Sequence, residues 1–353
     1  MLKNVASTVL SGVMRFVSTR PICSFPRVGI NGFGRIGKCI MRQCFENNVN
    51  IVAVNQPFVD VNSIAYTFKY DTVHREFKGK IEVCNKQLQI NGHGVKVSHE
   101  GDAEKIKWND LCVDYVIDAT GKYTEVDNAM KHVKAGAKKV IISAPSKDAP
   151  MFVGGVNFDT YDKSMQVVSN SSCTTNCAAP VIKVIHEAFV VQSCMMTTTH
   201  AMTASQPVHD GMMNRSGPYN IVPGTTGAAK AVVKVLPHLD GKIKADAARV
   251  PVLDVSLLKL YINIGKEATA DTIKNEIKCR ADSDLKDVLS YTDQKNVSSD
   301  FIGNTFSAIV DLNQIEVIGN MITIGAWYDN EMGYSCRLLD LVKHMAVVDG
   351  GCR

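Results

Sequence analysis

The chain has no apolar run long enough to cross a bilayer, so no membrane-spanning helix is expected from its sequence. It has no cysteine framework either. The 11 cysteines are scattered, and Cys173 and Cys177 stand four apart, which fits neither a Cys-x-x-Cys redox pair nor a zinc knuckle. They read as reduced thiols of an intracellular protein, with no metal site among them. No charge of one sign dominates. The formal net charge is +4, but no acid occurs before Glu46, and Lys3, Arg15 and Arg20 in the first 20 residues account for most of the surplus. The body of the chain therefore gives no electrostatic support for nucleic-acid binding. There is no internal repeat and no low-complexity tract.

What is present is an ordinary globular composition, 45% hydrophobic and 21% charged. At 353 residues it exceeds what one hydrophobic core usually supports, so two domains are expected. Residues 1–26 stand apart. Leu2, Val5, Val9, Val13, Phe16 and Val17 recur at helical spacing among Ser, Thr and Arg, as in a mitochondrial transit peptide; the alternative is a disordered tail without an address.

The most informative stretch is Ser169-Asn170-Ser171-Ser172-Cys173-Thr174-Thr175-Asn176-Cys177-Ala178-Ala179-Pro180. Val167-Val168 reads as the end of a buried strand, and the apolar periodicity from Thr174 to about His186 predicts a helix starting at or just after Cys173. A thiol at a helix N-terminus faces unpaired N–H groups and the positive end of the dipole. That environment favours the thiolate and predicts a nucleophile active near neutral pH. The surrounding hydroxyls and amides offer donors for an oxyanion or a phosphate.

Nearer the start, the strand Arg27-Val28-Gly29-Ile30-Asn31 runs into Gly32-Phe33-Gly34-Arg35-Ile36-Gly37, which opens a helix through Ile40, Met41, Cys44 and Phe45. Gly-x-Gly-x-x-Gly between a strand and a helix is the dinucleotide-binding arrangement, in which the glycines let the backbone approach a pyrophosphate. The second strand, Ile51–Val54, should end in an acid for the adenosine ribose, but Gln56 occupies that position. Strands at Ile81–Val83, Leu88–Ile90, Tyr115–Asp118 and Val140–Ile142, with a helix from about Glu125 to Ala135, predict a doubly wound, mostly parallel α/β sheet. Thr120, Ser143 and the glycine turn lie at carboxyl ends of its strands. Beyond Cys173 the texture changes. Long strands at Ser193–Thr199, Val255–Ile264 and Met321–Trp327, with amphipathic helices at Thr269–Ala281 and Tyr334–Met345, predict a mixed or antiparallel second sheet.

From Arg27 onward the chain resembles the glyceraldehyde-3-phosphate dehydrogenase family. The resemblance rests on the cysteine signature, on Val28–Gly37, and on Ile142-Ser143-Ala144-Pro145-Ser146, Thr226-Gly227-Ala228-Ala229-Lys230-Ala231-Val232, Arg249-Val250-Pro251 and Trp327-Tyr328-Asp329-Asn330-Glu331. It implies a Rossmann-type NAD-binding domain over residues 27–172, an α+β catalytic domain over 173–333, and a C-terminal helix, 334–353, that packs back on the first domain. It implies NAD-dependent oxidation of glyceraldehyde 3-phosphate to 1,3-bisphosphoglycerate in glycolysis, with inorganic phosphate cleaving a cysteine thioester. Cys173 would be the nucleophile and His200 the acid/base. Thr203 and Arg249 would hold the substrate phosphate, and Ser172, Thr174, Thr226 and Gly227 the attacking one. Gly32, Gly34, Arg35, Ile36, Gln56, Thr120, Ser143, Asn330 and Tyr334 would line the NAD site. A homotetramer is also implied, with no role for a membrane or a nucleic acid.

The sequence departs from the family pattern in three places. Gln56 replaces the ribose acid, Gly101 stands where an arginine is common, and the segment between Gly211 and Asn220 is about six residues short, leaving it open whether Arg215 serves the inorganic phosphate. Two alternatives stay open at this point: a relative acting on another phospho-aldehyde such as erythrose 4-phosphate, and a weakly active paralogue with a binding role. The compartment is either the cytosol, by resemblance, or the mitochondrion, by residues 1–26.

Overall fold

The computed structural model describes residues 26–212 and 214–350. The tract compared above with a transit peptide lies outside the described residues except for Pro26.

The first half alternates strands and helices: β1 (Arg27–Asn31), α1 (Arg35–Cys44), β2 (Asn50–Asn55), α2 (Val61–Lys69), β3 (Ile81–Cys84), β4 (Gln87–Ile90), β5 (His93–Ser98), β6 (Tyr115–Asp118), α3 (Val126–Lys134), β7 (Lys139–Ile142) and β8 (Val167–Ser169). These strands form one sheet in the order β3-β4-β5-β2-β1-β6-β7-β8. From β5 to β8 neighbouring strands are parallel, and β3 and β4 add an antiparallel hairpin at one edge. β2 lies on one side of β1 and β6 on the other, so the sheet's order reverses beside β1. A crevice opens there at the carboxyl ends of the strands, where open α/β sheets bind ligands. β1, β6 and β7 are almost entirely buried, which is why they read as short apolar runs.

The second half contains α4 (Cys173–Phe189), β9 (Val191–His200), β10 (Val222–Gly224), α5 (Ala228–Val235), β11 (Ile243–Arg249), β12 (Ser256–Ile264), α6 (Ala270–Asp282), β13 (Leu289–Thr292), β14 (Ala308–Ile318), β15 (Met321–Tyr328) and α7 (Met332–Val348). Its sheet, in the order β10-β11-β9-β12-β15-β14-β13, is mixed: β11 with β9 and β13 with β14 are parallel, and the other pairs are antiparallel. Helices α4, α5 and α6 cover one face. Strict alternation along β12 sends Leu258, Leu260, Ile262 and Ile264 into that core and leaves Tyr261 on the opposite face, beside Met195.

Cys173 borders two apolar cores. One is the interior of the second sheet and its helices; the other combines Val28, Ile30, Ile40 and Met41 with Tyr334, Leu338, Leu341, Val342 and Met345 of α7. The last helix thus completes the packing of the first sheet, and the strand-to-helix turn that carries Cys173 sits where the two halves meet.

Candidate active site

The turn before α4 is held by its own side chains. Ser171 takes a left-handed φ of 58°, which reverses the chain between β8 and α4. The strain is supported by neighbours: Ser171 N donates to Ser169 Oγ at 3.0 Å, and Tyr334 Oη donates to the Ser171 carbonyl at 3.0 Å. Asn176 Nδ2 bonds back to the carbonyls of Asn170 and Ser172. Ser172 is the N-cap, its Oγ accepting from Thr175 N at 3.2 Å, so Cys173 is the first helical residue. Cys177, one turn on, is fully buried.

β9 delivers His200 from the other side. Its Nε2 lies 3.5 Å from Cys173 Sγ. Arg249, last in β11, is in register with His200 across the parallel pair, and its Nη1 reaches His200 Nδ1 at 2.5 Å and the Ala201 carbonyl at 3.1 Å. A guanidinium only donates, so against it Nδ1 is the acceptor and Nε2 carries the proton toward sulfur. The imidazole is pushed down to about 4, first by burial and then by the Arg249 charge.

The thiol departs from the sequence-based prediction. Cys173 keeps part of its surface open, yet the atoms packed round Sγ push it above the ordinary cysteine value, and hydrogen bonds from Thr174 and the Arg249 charge offset this only in part. Burial outweighs the helix terminus. In this arrangement the pair is a neutral thiol beside a neutral imidazole.

Thr203 lies exposed in the loop after β9, bonded to Ser205 and Gln206. Arg249 is half-buried. Gly227 is the N-cap of α5, where an added Cβ would meet nothing within 4 Å, and Thr226 Oγ1 accepts from Ala228 N. Thr174 is buried, its hydroxyl bonded to Tyr328 at 2.9 Å, which leaves its backbone N–H rather than its side chain for a bound anion. Arg215 pairs with Asp210 of its own loop at 2.7 Å.

On the crevice side, Gly32 has φ 92°, and a Cβ there would lie 2.9 Å from Thr120. A Cβ at Gly37 would come within 2.2 Å of the Gly32 carbonyl, whereas at Gly34 it would meet nothing, so the turn is tight behind and open in front. This fits a pyrophosphate lying on the N-terminus of α1. Ile36 is half-buried in the first turn of α1. The guanidinium of Arg35 is held by Asp71 at 2.6 Å and by both oxygens of Glu331, leaving its backbone N–H for a phosphate. Gln56 Oε1 accepts from Phe33 N at 2.8 Å, tying the end of β2 to the glycine turn. Thr120 Oγ1 donates to Asp118, and Ser143 N bonds the Asp118 carbonyl, so both sit at strand ends beside the crevice. Asn330 is buried between β15 and α7, with Oδ1 accepting from Ser256 Oγ. Tyr334 is buried behind the Ser171 turn.

Sequence reading missed Ser256 and Asp254. Ser256 occupies an inward position in an otherwise apolar alternation along β12, and that was the available signal. Asp254 is buried near Asp329 and His74; its Oδ2 makes no hydrogen bond and lies 3.8 Å from His74 Nε2. Burial, and then the charges of Asp329 and Glu331, raise its carboxyl well above the usual range, so it stays protonated at neutral pH.

A model of the glyceraldehyde 3-phosphate dehydrogenase NAD-binding domain matches residues 26–126, and one of the C-terminal domain of the same family matches residues 172–330. Glyceraldehyde-3-phosphate dehydrogenase of Schistosoma mansoni is 48% identical over 332 residues, covering 92% of this chain and 98% of the relative. Glyceraldehyde-3-phosphate dehydrogenase 2 of Drosophila melanogaster is 46% identical over 330 residues, covering 92% and 99%. The chloroplastic glyceraldehyde-3-phosphate dehydrogenase GAPCP1 of Arabidopsis thaliana is 47% identical over 356 residues, covering 98% and 83%.

Proposed function

Since the chain belongs to the glyceraldehyde-3-phosphate dehydrogenase family, we infer that Cys173 and His200 form the reacting pair of a phosphorylating, NAD-dependent oxidation of glyceraldehyde 3-phosphate. The observation that carries this is the 3.5 Å approach of His200 Nε2 to Cys173 Sγ at the junction of the two halves.

Attack of Sγ on the aldehyde carbon gives a thiohemiacetal, the thiol proton passing through Nε2 to the new alkoxide oxygen, which leaves His200 neutral again. NAD, when bound, supplies the hydride acceptor that turns this adduct into a thioester. His200 takes the hydroxyl proton in that step, and inorganic phosphate then releases the acyl phosphate and regenerates the thiol. For His200 to act as base, Nε2 must be free of its proton, which requires Nδ1–H to face the Ala201 carbonyl, 2.7 Å away. Arg249 therefore has to leave Nδ1, and the phosphate of the substrate is the anion that draws it off. Thr203 shares that phosphate. Ser172, the Thr174 N–H, Thr226 and Gly227 receive the attacking phosphate.

For the cofactor, the Gly32–Gly37 turn holds the pyrophosphate with the N–H groups of Arg35 and Ile36, Gln56 faces the adenosine ribose, and Thr120 and Ser143 line the crevice. Asn330 grips the nicotinamide carboxamide, and Tyr334 supports the turn beneath it. The residues present fit this group. Exposed Met195 and Tyr261 on the open face of the second sheet, with Val208, Met212, Tyr219 and Ile221 on the loop before α5, support a homo-oligomer, read by family as a tetramer. Residues 1–26 are read as a targeting segment for the mitochondrion, with the cytosol as the competing compartment.

The test is NAD reduction by the purified protein with glyceraldehyde 3-phosphate, with and without inorganic phosphate. Turnover that depends on phosphate is expected. Equal rates without phosphate would reject the phosphorylating reaction, and preference for erythrose 4-phosphate would reassign the substrate.

A further inference from the structure

Asn330 and the backbone of Ala201, the residue after His200, share a hydroxyl that neither family motif contains. Ser256 Oγ lies 2.9 Å from Asn330 Oδ1 and 3.0 Å from Ala201 N. Ser256 is 1% exposed, so water does not complete its bonding. A backbone N–H can only donate, so Oγ accepts from Ala201 and its single proton goes to Asn330. That bond decides which way the Asn330 amide faces. With Oδ1 taken up by Ser256, the amide presents Nδ2, which makes no hydrogen bond to the protein and is not shut off from solvent. The turned amide would donate to the second lone pair of Oγ, leave the buried Ser256 proton without an acceptor, and offer an acceptor to the cleft instead.

We propose that Ser256 is a positioning residue for the cofactor: it fixes Asn330 as a donor toward the carbonyl of the nicotinamide carboxamide. It anchors that orientation on Ala201, whose carbonyl lies 2.7 Å from His200 Nδ1. One buried hydroxyl thereby sets the cofactor's reading group and the base's neighbour in the same frame. The inference rests on the role given to Asn330 above and adds the group that makes that role one-directional.

Ser256→Ala removes the proton and leaves Oδ1 and Ala201 N unpaired, freeing the amide to turn. The Michaelis constant for NAD should rise about 3- to 10-fold, the usual weight of one net hydrogen bond. A purely structural role would give a similar loss, so the deciding experiment is a double-mutant cycle with Asn330→Ala. If Ser256 acts through Asn330, Ser256→Ala adds nothing to the Michaelis constant in the Asn330→Ala background. Ser256→Thr, which keeps a hydroxyl, should restore most of the affinity; should the alanine variant fold poorly, Ser256→Cys supplies a weaker donor of similar size. Additive effects in the cycle overturn the proposal. A Michaelis constant unchanged by Asn330→Ala alone would instead reject the carboxamide role of Asn330.

Discussion

The charge state of His200 in the substrate-free protein is the point on which the chemistry turns, and it can be measured. Its imidazole is held at about 4 against an ordinary value of about 6.5, so keeping it neutral amounts to roughly 3 kcal/mol of preference. Burial is the larger cause and Arg249 the second. The guanidinium is therefore the smaller of the two causes that lower it. In a Cys173→Ser background, which removes the thiol from the titration, the His200 Cε1–H resonance should titrate near 4. Arg249→Gln should move the midpoint up while leaving it below 6.5, since burial remains. The same shift has a stability consequence. The folded-state value is depressed, so between 6.5 and 4 the unfolded chain binds the proton and the folded chain does not. This contribution to stability is complete above pH 6.5 and is lost as pH falls toward 4, by about 3 kcal/mol in all. A midpoint near 6.5 in the parent, or one unmoved by Arg249→Gln, would refute the contact and the release mechanism built on it.

Cys173→Ser should abolish aldehyde oxidation while NAD still binds, and Cys177→Ser, in the fully buried position, should keep most of the rate; reversed outcomes in the NAD reduction assay would reassign the nucleophile. Asp254→Asn should raise the thermal midpoint at pH 7 and above, because the amide keeps the acceptor for Val255 N and donates toward Asp329 without having to take up a proton on folding. The raised carboxyl costs stability once pH exceeds its unfolded value near 4, so the gain should fade as pH approaches 4; an equal gain at every pH would count against a protonated Asp254. Gln56→Asp should lower the Michaelis constant for NAD and widen the preference over NADP, since a carboxylate both accepts from a ribose hydroxyl and repels a 2′-phosphate; an unchanged ratio would mean that this position does not face the ribose. A reporter carrying residues 1–30 should enter mitochondria, and Arg15→Glu with Arg20→Glu should stop it; a diffuse wild-type fusion would remove the targeting reading.

Local chemistry made part of this legible from sequence. Ser172 before an apolar, 3.6-periodic run marked the start of α4 correctly, and the apolar runs of β1, β6 and β7 were visible because both faces of those strands are buried. β11 was not visible, since Ile-Lys-Ala-Asp-Ala-Ala-Arg has no apolar alternation and becomes a strand by pairing with β9 and β10. Yet β11 carries Arg249 into register with His200, so the electrostatics of the site hang on a strand its own residues hardly announce. The protonation of Cys173 was misjudged for a related reason. A helix terminus can be read within five residues, but the atoms that enclose Sγ come from distant segments. Asp254 illustrates the same limit, as its neutral state follows from Asp329 and Glu331 about 75 residues away.

The placement of α7 has a consequence for how the protein is made. Val28, Ile40 and Met41 leave the ribosome about 300 residues before Leu338, Leu341, Val342 and Met345, which complete their core. The nucleotide-binding half cannot close its apolar surface until α7 has been synthesised. Meanwhile the second half, whose core draws on residues from Met151 to Tyr328, can assemble first. Vectorial folding here would run against sequence order. A nascent chain stalled before residue 332 would expose an unfilled groove on α1, which makes that intermediate the natural client of a chaperone and the species most prone to aggregate.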